Sequence, residues 1–221
     1  MGILILTVQL KLNPMFAMSK ADGIHQGMPL YWAIGGVILA WVSLLISPFL
    51  LRIAAFFWAM ALVVMAVNLM RILWQRKTPV WDSVFIGVGV AWGLLFGAAM
   101  MAFWLSPFAV ILAFWGMLTL IFSYQARIVP FIVAVAIARR IPGPVYKAFF
   151  MAQAMHSKRL PVVAGILGVV GAGATILGRL TLDAGWVTFA GIILVLLLAM
   201  QVVGLGRAMI KGRANRGVTL W

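Results

Sequence analysis

Long apolar runs, broken by short polar or basic clusters, set the pattern of this chain. Six runs approach or exceed the roughly 20 residues that a helix needs to cross a bilayer. They cover residues 30–46, 50–74, 83–104, 107–127, 162–178 and 186–205. Ser47-Pro48 separates the first two, and Ser106-Pro107 the third and fourth. Proline disfavours helix at the residue before it and suits the first turn of the helix that follows. Each of these pairs therefore reads as a tight helical hairpin, and residues 180–185 supply a third short turn. The predicted fold is all-α: a polytopic bundle of about six transmembrane helices over residues 29–210.

Three segments fall outside that simple scheme. Residues 1–28 begin with an apolar stretch interrupted by Gln9 and Lys11, too short to span, and read as an interfacial segment. They lack the basic start and small-residue cleavage site of a signal peptide. After Arg127 the fourth run stays apolar to Arg139-Arg140, and a single helix over 107–138 would be about 48 Å long. Pro130 offers a break, so the expectation is a span ending near Arg127. An interfacial loop over 128–160 then follows, with a second surface helix at 145–156. Residues 211–221 form a basic C-terminal tail.

Composition turns the pattern into a membrane assignment. Apolar residues make up 66% of the chain and charged residues 9%, against about 25% charged in a soluble domain. The net charge of +14 would point to nucleic acid in a soluble protein, but here the cations sit at the ends of apolar runs. Tracing the six spans puts fourteen Lys and Arg on one side, Arg52 and Arg179 on the other, and leaves Arg127 between them. The positive-inside rule then places both termini in the cytoplasm, in a bacterial inner membrane, with the basic face toward anionic lipid. Trp32, Trp74, Trp81, Trp104 and Trp186 fall near span ends, as an aromatic belt would, while Trp41, Trp58, Trp92 and Trp115 lie inside spans.

Candidate chemistry is sparse. With no Cys, thiolate chemistry and Cys-ligated metals are excluded. His25 and His156 both lie outside the spans, which leaves no imidazole for a haem between helices. Met15, Met18 and Met28 near His25 match no copper-binding spacing, so no metal site is expected. Asn68, Ser123, Gln125, Arg127 and Gln201 are the polar residues inside spans, and no carboxylate lies mid-span for a proton relay. Arg127 and Gln125 are the candidates for holding a lipid or quinone head, although an Arg so placed more often snorkels to the headgroups. Gly89, Gly93 and Gly97 recur every fourth residue, and Gly165, Gly168 and Ala172 form a similar row. Such rows let helix backbones approach closely.

Residues 115–144, WGMLTLIFSYQARIVPFIVAVAIARRIPGP, resemble a helix of haem-copper oxidase catalytic subunits and of related membrane proteins linked to the nitric-oxide response. Gly116, Tyr124, Arg127, Pro130 and Phe131 carry the likeness. Such helices usually begin with a His, where this chain has Trp104-Leu105-Ser106-Pro107. The resemblance therefore implies a scaffold without its metals.

The expected function is a non-catalytic subunit, structural or in assembly, of a redox or energy-converting membrane complex. It would recognise other membrane subunits helix to helix and bind no cofactor through its own ligands. The rival is a transporter or channel subunit, which needs Asn68, Gln125, Arg127 and Gln201 to converge on one cavity. A third reading is an enzyme acting on lipid or quinone near Arg127 and His156.

Overall fold

A computed structural model describes residues 27–47, 49–75, 83–138 and 158–214. Six helices account for nearly all of them: α1 (Met28–Leu45), α2 (Phe49–Trp74), α3 (Val84–Phe103), α4 (Phe108–Ala138), α5 (Leu160–Thr181) and α6 (Ala184–Ala214). Each contains a stretch long and apolar enough to cross a membrane, and there is no strand among the described residues. This is the architecture of a multi-pass membrane protein. The segment 1–26, His25, the 145–156 helix with His156, and residues 215–221 lie outside the described residues.

The turns use local chemistry. Ser47 Oγ accepts from Phe49 N–H at 3.2 Å, and Ser106 Oγ accepts from Phe108 N–H at 3.4 Å. Each serine thus supplies an acceptor to an otherwise orphaned donor at the start of a helix. The end of α3 closes with Ser106 N–H donating to Met101 O and Leu105 N–H to Ala102 O, both at 2.9 Å. This is a Schellman ending, with Leu105 at φ 56° in the left-handed position that glycine usually fills. Leu182 ends α5 in the same conformation, at φ 55°. Asp183 Oδ1 then accepts from Gly185 N–H at 2.8 Å and caps α6.

The fourth helix departs from the expected layout. It does not end near Arg127 but runs unbroken for 31 residues through Pro130 to Ala138, so residues 128–138 are helix and not part of an interfacial loop. A proline removes one backbone donor, and the bonds of the turns on either side suffice to carry the helix past it. Likewise α6 runs to Ala214, past the expected end near 205 and into the basic tail.

The chain forms two compact units. The first contains α1, α2, the part of α3 from Trp92 and the start of α4 up to Gly116. Here α1 packs along α2, with aromatic rings filling the room that glycines leave. A Cβ on Gly35 would sit 2.8 Å from Phe57 Cδ1, and one on Gly36 would sit 2.8 Å from Trp58 Cδ1. Trp32 meets Phe57 edge to face at 5.0 Å. Of the mid-span tryptophans, Trp92 and Trp115 are buried and Trp41 is exposed.

The second unit contains Ser83–Ala91, the rest of α4, α5 and α6. Here α5 packs on α6. The buried residues of α5 are Pro161, Ala164, Gly165, Gly168, Gly171, Ala172, Ala174 and Gly178. Their spacing follows the three- and four-residue steps of one helix face. Nothing on that face is larger than proline, so neighbouring backbones come close.

Candidate functional site

The buried polar side chains of the second unit centre on α4. Thr119, Ser123 and Arg127 follow one another at four-residue intervals, which places them along one side of the helix. Thr119 and Ser123 are fully buried, and Arg127 is 4% exposed. Ser123 Oγ–H donates to Thr119 O at 2.7 Å, so its hydroxyl is satisfied by the preceding turn.

Each hydroxyl is seated against a glycine. Thr119 Oγ1 fills the space that a Cβ on Gly168 would occupy, with Thr119 Cβ only 3.2 Å from that point. Ser123 Oγ does the same at Gly87, where the Pro161 carbonyl oxygen also stands 2.7 Å from the added carbon. Through these two residues α4 meets α3 and α5 at backbone distance. Any side chain at Gly87 or Gly168 would force the helices apart.

A second polar contact lies on another side of α4. Gln201 Nε2, on α6, donates to Gln125 Oε1 in a close hydrogen bond, and Gln201 is itself buried. Gln125 stands two residues from both Ser123 and Arg127, about 200° around the helix from each. The glutamine pair and the Thr119–Ser123–Arg127 row therefore leave α4 on nearly opposite sides.

Arg127 is enclosed by protein and does not reach outward to the headgroups, as an Arg near a span end often would. Neither Arg127 nor Tyr124 is without a partner. Of the residues carrying the oxidase-like pattern, Gly116, Tyr124, Arg127 and Pro130 are buried and Phe131 is half-buried.

The two rows of small residues differ. Gly168 is in close contact, Ala172 is 2% exposed, and Gly165 has Val90 at ordinary distance, 3.5 Å. On α3, Gly97 meets Leu112 at 3.5 Å, whereas a Cβ on Gly89 or Gly93 would meet nothing within 4 Å among the described residues. The closest helix contacts fall instead at Gly35, Gly36, Gly87 and Gly168. Four-residue periodicity missed three of these. Gly35-Gly36 is a pair, and Gly87 stands out of step with Gly89 and Gly93.

The first unit has a different polar inventory. Arg52 Nε, Asn68 Nδ2 and Trp92 Nε1 are buried with no hydrogen-bond partner among the described residues, as is Ser83 Oγ in the second unit. Asn68 belongs to this unit, while Gln125, Arg127 and Gln201 belong to the second. His, Cys, Asp and Glu form no group of three among the described residues.

Compared with known proteins, the chain matches no family model, no curated protein and no solved structure.

Proposed function

We propose that the chain is a non-catalytic subunit, structural or in assembly, of a membrane complex that converts redox or other energy in a bacterial inner membrane. On this reading both termini face the cytoplasm, as the fourteen-to-two segregation of cations favours.

One observation carries the reading. The polar groups of α4 lie on opposite sides of the helix and are taken up in interhelical contacts: hydroxyls against Gly87 and Gly168, and an amide against Gln201. Polar side chains used in this way join helices to one another. A substrate path would instead need them to converge on one volume. The redox assignment rests on the likeness of residues 115–144 to oxidase helices. Any lipid or quinone bound by the subunit would then sit at an interface with its partners.

A transporter or channel subunit is the second reading, favoured by the enclosed cation Arg127.

The experiment is purification of the tagged full-length protein in a mild detergent, with mass spectrometry and an absorption spectrum on the same fraction. Stoichiometric membrane subunits carrying redox groups are expected, and recovery of the chain alone or as a homodimer without a chromophore would refute the proposal. In that case, flux through reconstituted vesicles that is lost in Arg127→Gln would establish the second reading.

A further inference from the structure

Leu160 opens α5 with a methyl group 3.0 Å from the position of a Cβ on Gly204. The start of α5 and the late part of α6 therefore meet at one end of their hairpin, and three cations collect there. Lys158 and Arg159 directly precede α5, and Arg207 follows Gly204 by three residues. All three are exposed.

Two apolar residues beside Arg207 are uncovered. Val203, four residues before it, is 52% exposed, and Ile210, three residues after it, is 68% exposed. That spacing keeps all three residues on one helix face. The stretch of α6 that can cross a membrane ends at Gly204, so Arg207 emerges about one turn, roughly 5 Å, beyond the hydrocarbon. That is the depth of lipid headgroups.

Among the described residues these cations meet little neutralising charge. Asp183 is the one carboxylate residue among the described residues. It sits in the turn at the opposite end of the 22-residue α5, about 33 Å away. The Debye length at physiological salt is about 8 Å, so its charge is screened out over that span. Arg159 provides no side-chain cap to α5, and the partial positive charge of the helix start adds to the same field.

We propose that Lys158, Arg159 and Arg207 form a binding site for the phosphate of an anionic phospholipid, with its acyl chains lying along the Val203 face of α6. Charge complementarity selects this occupant, and the adjoining apolar strip selects a lipid over a free anion. The guanidinium groups give paired hydrogen bonds to phosphate oxygens, while the lysine contributes a point charge. The site belongs to this chain alone and does not depend on its being a subunit of a larger complex.

The test is native mass spectrometry of the delipidated full-length protein in detergent, titrated separately with phosphatidylglycerol and phosphatidylcholine. The wild type is expected to retain phosphatidylglycerol in preference, and each of Lys158→Gln, Arg159→Gln and Arg207→Gln to weaken that retention about fivefold. The triple variant should lose the preference, whereas Arg179→Gln, at the other end of α5, should keep it. Equal retention of the two lipids by the wild type would overturn the proposal and leave free phosphate or an acidic protein segment as the occupant. Undiminished phosphatidylglycerol in Arg207→Gln and in the triple variant would overturn it as well.

Discussion

The two compact units bring helices together with opposite materials. In the first, the glycines of α1 receive the rings of Phe57 and Trp58. In the second, the glycines of α3 and α5 receive the hydroxyls of Ser123 and Thr119. A ring fills volume well but has no strong acceptor to offer, and the buried donors of Arg52, Asn68 and Trp92 have no partner among the described residues. A serine hydroxyl is small enough to sit at backbone distance and carries its acceptor with it, one turn back along its own helix. The same close approach thus satisfies Ser123 in the second unit, while these three donors of the first, like Ser83 Oγ in the second, face a desolvation penalty.

The largest test of this contrast is steric. Gly168→Val places atoms where Thr119 already stands, and should destabilise the protein by about 3 kcal/mol or more, read as a loss of folded fraction in a detergent denaturation series. The paired variant Gly168→Ala/Thr119→Ala should recover part of the loss suffered by Gly168→Ala alone, because the overlapping hydroxyl is gone. No recovery would mean that some other contact sets the helix distance.

A smaller effect separates the polar groups by unit. Gln201→Leu leaves Gln125 without its partner and should cost about 1 kcal/mol. Asn68→Leu removes a donor with no partner among the described residues and should leave the isolated protein as stable or slightly more so, by up to about 1 kcal/mol. If both substitutions destabilise equally, Asn68 has a partner and the contrast between the units fails.

Two end effects come next in size. Asp183→Ala removes the cap of α6 and should cost about 1 kcal/mol, with Asp183→Asn restoring most of it. Gly93→Ala adds a methyl in open space and should raise stability by roughly 0.5 kcal/mol through helix propensity. A fall in stability at Gly93→Ala would reveal that this face is covered in the purified state.

The fold was legible where its physics is local. Apolar runs of spanning length, Ser-Pro junctions and the short 180–185 turn place all six helices to within a few residues at most of their ends. The ends of α4 and α6 were not legible. Pro130 reads as a terminator, yet the 31-residue helix continues through it, since a proline in a transmembrane helix is tolerated where its neighbours take up the freed backbone groups. The buried polar rows were legible only as a set of residues. Ser123, Gln125, Arg127 and Gln201 stand out in apolar surroundings, but which of them meet depends on helix rotation, which sequence spacing leaves open. Gly87 and Gly35-Gly36 escaped notice because a close contact requires one glycine in the right place and no repeat at all.

The length of α4 has a consequence for the bilayer around it. Its apolar part, Phe108–Ala136, holds 29 residues, or about 43 Å of helix against roughly 30 Å of hydrocarbon. Tilt alone would have to reach about 45°, beyond the range of roughly 0–40° in which such helices are found. Local thickening of the bilayer around α4 relieves that mismatch, whereas the 18-residue α1 calls for none. The bilayer would then be thickest beside this one helix.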